Sequence, residues 1–377
     1  MNKNKTVTVI TLQNVRNYGS VLQALATQEV FEMHGLQVEF YDYYKNGCDN
    51  NLLNRVRGYT KKDGLIGKIV KTAILLPTFI RQDRLFCRFL KQYLHTIPGA
   101  VCTEEDFRRL KHNADVYVTG SDQTWNSGWN NGILPPLFLS FAPNDKPKIA
   151  YAASFGKNQL EEWEVEETRR RLSQYSAISV RESSAVDIID SLGLGIKAVH
   201  VLDPTLQVSG DYWRRTLSHP IKHTRYCLLY QLNHNAEFDR FAMEFAHRKG
   251  LKLIRWCNRY DQMRLPADAH LAVPEVDDFV SYIDHADFIL TDSFHCTAFS
   301  HNLNKQFFSV LPHEYGGRIG SLLKLTGLEH RRVSDLNDLS VVDMLDIDYM
   351  PVNEILARER NVANDFLANA LNIKSVE

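Results

Sequence analysis

The sequence predicts an α/β protein built as two doubly wound domains facing a cleft. Three observations predict it. The chain has 377 residues, more than one hydrophobic core usually organises. Short β-branched runs alternate with segments of helical apolar spacing, the pattern of parallel strands joined by helical crossovers. The unusual polar clusters fall just past the strand-like runs, where open parallel sheets bind their ligands.

The first series opens with Val7 to Leu12 (VTVITL), a strand that empties into a polar loop. A helix is predicted over Val21 to His34, with Leu22, Leu25, Val30 and Met33 in register and Gly35 as its stop. Val38 to Tyr43 is the next strand. Val116 to Thr119 leads into Gly120-Ser121-Asp122, and Ile149 to Ala153 into Ser154-Phe155-Gly156. Gln159 to Tyr175 is predicted as a solvent-facing helix, and Ile178 to Val180 as a strand delivering Arg181 and Glu182. Val199 to Thr205 is a short strand stopped by Pro204, which sets a first domain of residues 1–205.

The second series starts with strands at Tyr226 to Gln231 and Leu251 to Trp256, separated by a helix over Phe238 to Lys249. Phe288 to Thr291 ends in Asp292-Ser293-Phe294-His295, and Phe307 to Leu311 in Pro312-His313-Glu314. The second domain is expected over 206–350. The remaining 351–377 reads as a helix that packs back on the first domain.

Composition narrows the function classes. Lys plus Arg number 44 against 45 Asp plus Glu, so no global nucleic-acid footprint exists. Met1 to Thr6 lacks a secretory pattern and no apolar run is long enough to span a bilayer, so a cytoplasmic location is expected. The six cysteines contain no C-x-x-C pair, which suggests incidental thiols rather than a zinc ribbon or disulfide framework. No cluster has convincing metal-ligand spacing, so no metal is expected. Residues 55–84 differ: eight basic side chains face only Asp63 and Asp83, interleaved with Leu65, Ile66, Ile69, Val70, Ile74 and others. That stretch reads either as an interfacial helix drawn to anionic lipid or as a helix packed on the first domain with its basic face in solvent.

Four clusters could carry chemistry. Asn14 to Ser20, with Asn17 and Tyr18, opens a helix and could receive an anion or a hydroxyl, or simply cap the helix. Gly120 to Asn126 offers Asp122, Gln123 and Trp125, a mixture suited to sugars; its plainer reading is an Asx-turn with a core tryptophan. Arg181 is suited to phosphate or carboxylate, or to a contact with Glu182 of little energetic consequence. His295 beside Asp292 and Ser293 could hold phosphate or move a proton. Arg318, in Gly316-Gly317-Arg318-Ile319, is a fifth candidate.

Together the strings Asn17-Tyr18-Gly19-Ser20-Val21-Leu22-Gln23-Ala24, Gly120 to Asn126, Ser179-Val180-Arg181-Glu182, Leu202-Asp203-Pro204-Thr205 and Thr291 to His295 resemble the polysaccharide pyruvyl transferase family. The resemblance implies two Rossmann-like domains of the GT-B type. It implies phosphoenolpyruvate as a co-substrate with no further cofactor, and a sugar acceptor, galactose-type and lipid-linked, in capsule or exopolysaccharide assembly at the inner membrane face. Arg181 and His295 match the family's donor-binding positions. Many members carry arginine where Ser293 stands, and Arg318 is the expected substitute. His295, Asp122, Asp292 and Glu182 are then the acid and base candidates, with Asn17, Tyr18, Asp122, Gln123 and Trp125 on the acceptor. The rival readings are a nucleotide-sugar GT-B glycosyltransferase and a noncatalytic sugar-binding module.

Overall fold

The computed structural model describes residues 5–45, 52–60, 64–110, 113–312 and 316–373. Asp63, His313 and Glu314, named above, lie outside the described residues, as do Cys48 and two of the eight basic side chains of 55–84, Lys61 and Lys62. The chain divides into two compact units.

Unit 1 holds a seven-stranded, wholly parallel sheet. Its strands are β1 (Thr6–Ile10), β2 (Gln37–Tyr43), β3 (Thr96–Val101), β4 (Val116–Thr119), β5 (Lys148–Ala153), β6 (Ala177–Val180) and β7 (Val199–His200), in the order β3-β2-β1-β4-β5-β6-β7. Unit 2 repeats the plan with β8 (Tyr226–Tyr230), β9 (Lys252–Cys257), β10 (Ala269–Ala272), β11 (Phe288–Thr291), β12 (Phe307–Val310) and β13 (Arg332–Val333), ordered β10-β9-β8-β11-β12-β13. In each sheet the winding direction reverses once, between β1 and β4 and between β8 and β11. At that reversal neighbouring crossovers leave in opposite directions and open a crevice beyond the strand ends.

Both sheets are covered on their two faces, so the central strands are apolar throughout. β4 is VYVT and β8 is YCLLY, every residue buried. Helix α1 (Tyr18–Met33) is buried on almost every side, including the polar Gln23, Thr27 and Gln28. Gln23 Nε2 reaches Thr11 Oγ1 at 3.1 Å and Gln28 Nε2 the Tyr93 carbonyl at 3.0 Å. Buried amides are tolerable because they are bonded.

Two expectations need correction. Residues 50–88, placed by sequence in the first domain, cluster with unit 2, together with 209–355. They contain α2 (Leu52–Thr60) and most of α3 (Leu65–Tyr93). Polar contacts explain the placement: Arg81 Nε donates to the Val273 carbonyl at 2.7 Å and Gln82 Nε2 to that of Asn258 at 2.8 Å. Residues 356–377 cluster with unit 1, where Arg360 Nε meets the Leu206 carbonyl at 2.8 Å. The cysteines are also not all incidental. Cys87, Cys227, Cys257 and Cys296 are thiols outside any disulfide, but Cys102 is in one. No helix among the described residues is long and apolar enough to cross a membrane.

Candidate active site

In unit 1 the loops after β1, β4 and β6 converge on one buried cluster. Asp122 stands at its centre, two residues past Gly120, where a Cβ would meet Val9 Cγ1 at 3.0 Å. Its φ is +82°, a left-handed conformation that non-glycine residues adopt at a cost. Such strain is kept where surrounding structure over-determines it, often at functional sites. Here the determinants are visible. Ser20 Oγ donates to Asp122 Oδ2 at 2.6 Å, across the β1–β4 switch point. Oδ1 accepts from the Gln123 amide at 2.8 Å and from Arg181 Nη2 at 3.3 Å.

Arg181 is the hub beneath. Its side chain is 0% exposed. Nη1 donates to Asp203 Oδ2 at 2.6 Å, Nη2 binds Asp122, and Glu182 Oε2 lies 3.9 Å from Nε. Burial works against the charge, but Asp203, Asp122 and Glu182 outweigh it and hold the guanidinium above its ordinary range. The donor-ligand role expected for Arg181 is therefore corrected: an enclosed fork directed at two aspartates orients Asp122. Glu182, a reserve acid/base candidate, is also committed. Its Oε1 accepts from Ser154 Oγ at 2.8 Å and from the Phe155 and Gly156 amides at 3.0 and 3.1 Å. It braces the β5 loop.

The acceptor candidates divide. Asn17 is the N-cap of α1, its Oδ1 accepting from the Gly19 and Ser20 amides at 2.9 and 3.3 Å, and so it positions Ser20. Tyr18 is buried. Gln123 is half-buried and accepts from Asn126 Nδ2 at 2.5 Å. Trp125 does not face solvent. It is 2% exposed, stacks on Phe138 at 5.6 Å, and donates its indole N–H to the Leu137 carbonyl at 3.2 Å. The half-buried indole at this rim is Trp129, four residues on.

Over Trp129 sits a residue the sequence reading missed. Lys45 Nζ lies 3.0 Å from the ring centroid and 3.2 Å from Asn130 Oδ1. Burial pulls its ammonium down to about 8, partly countered by the Asp122 carboxylate. The only signal was a lysine two residues beyond a strand, which any solvent loop also shows.

Unit 2 builds a second cluster at its own switch point. Asp292 follows β11, and its oxygens accept from the Leu232 and Asn233 amides at 2.6 and 2.8 Å and from Asn233 Nδ2 at 3.1 Å. Burial raises its pKa, and these hydrogen bonds offset part of the rise. These bonds tie Asp292, an acid/base candidate by sequence, to the loop after β8. Ser293 is the N-cap of α4 (Phe294–Asn302), its Oγ accepting from the Cys296 amide at 3.4 Å. A cap needs a short side chain with an oxygen, which is what arginine at this position could not supply. His295 lies in the first turn of α4, buried, against Phe294. Arg318, on α5 (Gly317–Leu325), places its guanidinium carbon 5.4 Å from the centroid of the same Phe294 ring. A helix start, an imidazole and a cation thus occupy one corner, a suitable host for an anion. Elsewhere among the described residues, His219, Asp277 and Asp278 come close enough to share an ion. His219 Nε2 already lies 3.2 Å from Asp278 Oδ1 as an ordinary pair, at neither cluster.

A model of the polysaccharide pyruvyl transferase family matches residues 17–314. The chain belongs to the polysaccharide pyruvyl transferase family. The matched stretch contains the whole Asp122 cluster and His295, while Arg318 lies just beyond it. By shape, this chain is similar to the crystal structure of a UDP-N-acetylglucosamine 2-epimerase (TM-score 0.54, 13% identity, 100% of this chain and 99% of that one). It is similar also to a protein described as a UDP-N-acetylglucosamine 2-epimerase from Listeria monocytogenes (TM-score 0.50, 11% identity, 100% and 99%). At such identities the likeness shows the fold alone, the GT-B type of α/β protein. No curated protein matches the sequence.

Proposed function

We propose that this family member forms a pyruvate ketal on a sugar, taking the pyruvyl group from phosphoenolpyruvate. The acceptor we propose is a galactose-type residue of a lipid-linked repeat unit. The observation that carries the donor assignment is the corner formed by His295, the start of α4 and Arg318 over Phe294. A small polyanion needs cations and amide dipoles, and both are there.

The chemistry balances without a redox partner. A proton adds to the methylene carbon of phosphoenolpyruvate, leaving an oxocarbenium-like centre at the adjacent carbon. One sugar hydroxyl attacks that centre and loses its proton. Phosphate departs with its bridging oxygen, and the second hydroxyl closes the ketal with loss of its own proton. We assign His295 to phosphate binding or to the first proton transfer, and Arg318 to the donor's charge. Asp122 takes the acceptor proton, held in place by Arg181 and Ser20, while Lys45 and Trp129 line its rim.

The test is phosphate release from phosphoenolpyruvate with lipid-linked or aryl galactosides, comparing parent, His295→Ala and Arg318→Ala. Loss of a proton-transfer group should lower kcat by about 10²–10⁴-fold. Arg318→Ala should act chiefly on the donor KM. Acceptor-dependent release that survives His295→Ala unchanged would refute the site assignment. Consumption of nucleotide sugars with no phosphate release would refute the reaction.

A further inference from the structure

Five of the exposed large apolar side chains gather on one helix. Ile66, Ile69, Val70, Ile74 and Ile80 are 79, 63, 52, 41 and 41% exposed, and all five lie on α3. At 100° per residue they fall, with the exposed Ala73 and Pro77, on one stripe. The opposite face of the helix carries Leu75, Phe79, Gln82 and Phe86, all buried. Val56 of α2 joins Leu75 and Phe79 in a small core. The helix therefore has two apolar faces, one spent on its own unit and one bare. Single exposed apolar residues need no explanation, but a contiguous stripe does.

Charge identifies what the stripe fits. Arg57, Lys68, Lys71 and Arg84 are exposed on α2 and α3, and Asp83 is paired with Arg55 at 2.7 Å. Beside the stripe lies a cavity of about 500 Å³, lined by Ile80, Arg81, Arg84, Arg88, Tyr260 and Glu275 among others. Three arginines one helical turn apart meet a single carboxylate there, and Arg81 and Arg88 both pair with it. Such a cavity, cationic on balance and opening next to bare isoleucines, has the polarity of a phospholipid headgroup site at the edge of its acyl chains. With no membrane-crossing helix among the described residues, the contact would lie in the interface rather than span it.

We propose that α3 docks the protein on an anionic lipid bilayer, its isoleucine stripe seated among the acyl chains and the Arg81–Arg84–Arg88 cavity taking a headgroup phosphate. The surface acts independently of the transfer reaction. The test is co-sedimentation of the full chain with vesicles of phosphatidylcholine alone or mixed with phosphatidylglycerol. Binding should require phosphatidylglycerol and weaken with salt. Each basic side chain near an anionic surface strengthens partitioning by about fivefold, so Arg84→Gln/Arg88→Gln, both on the stripe side of α3, should weaken it by about 25-fold. Ile69→Asp/Val70→Asp should abolish binding while leaving the circular dichroism and the thermal midpoint unchanged, because both positions already face solvent. Absence of binding to phosphatidylglycerol vesicles, or binding indifferent to both double variants, would overturn the proposal. A dimer dissolved by Ile69→Asp/Val70→Asp, without vesicle binding, would overturn it in favour of self-association.

Discussion

Replacing Arg181 by methionine separates two roles that the sequence alone leaves open for it. As a donor ligand its loss would cost activity and leave the fold intact. As the hub seen here its loss removes the cation from between Asp203 at 2.6 Å, Asp122 at 3.3 Å and Glu182 at 3.9 Å. Methionine fills much of the volume, so the cost is electrostatic rather than a cavity. Removing one partner of a buried pair costs about 3–5 kcal/mol. That is a large share of the roughly 5–15 kcal/mol that holds a domain folded. The carboxylates left behind would bind protons more readily folded than unfolded. The variant would then gain stability as pH falls, because the native state holds the extra protons. Urea unfolding followed by tryptophan fluorescence should show a loss of about 3 kcal/mol or more near pH 8, shrinking towards about pH 5.5. Arg181→Met/Asp203→Asn should recover part of the loss. A change below about 1 kcal/mol, the range of an exposed pair, with phosphate release abolished, would refute the hub and restore Arg181 as a direct donor contact.

Two further outcomes follow from buried titrating groups. Burial lowers the folded pKa of Lys45 to about 8 from 10.5, so the unfolded chain binds more protons between those values and stability rises with pH across that window. Lys45→Met should flatten that rise, and Lys45→Arg should keep acceptor binding above pH 8 where the parent loses it; a parent titration flat from 8 to 10.5 would count against the site. His301 is fully enclosed on α4, Nδ1 on the Thr297 carbonyl at 2.8 Å and Nε2 on Thr326 Oγ1 at 3.1 Å, and burial lowers its pKa to about 4. Its folded pKa is depressed, so stability is full above 6.5 and falls as pH drops from 6.5 towards 4, by on the order of 3 kcal/mol. His301→Gln should remove that acid slope, read as the thermal midpoint against pH.

Most of the sheet was legible because parallel strands buried on both faces are continuous apolar runs. Val116 to Thr119 and Phe288 to Thr291 match to the residue. β3 was not, since TIPGAV carries proline and glycine and lies half in solvent at the sheet edge. β13 is two residues long, too short for any period. The strand-end rule singled out Asp122, Arg181 and His295, but not what each one touches. Arg181 and Asp122 are 59 residues apart, and whether a carboxylate faces a guanidinium or a substrate depends on packing, which has no sequence period. The same holds for the choice between Trp125 and Trp129. Indoles four residues apart share a helical face on paper, yet the turn at Asp122 sends one into the core.

The two sheets each place an aspartate past the strand beside the switch point and tie it to the loop of the first strand, with different chemistry. Asp292 is held by two backbone amides, neither of which can leave without moving the chain, and by the side-chain amide of Asn233. Asp122 Oδ2 is held by the hydroxyl of Ser20, a rotor with a single bond to turn about. A serine hydroxyl and a sugar hydroxyl are the same functional group. An arriving acceptor could therefore take the place of Ser20 one for one, with the count of hydrogen bonds unchanged and the carboxylate already facing the newcomer.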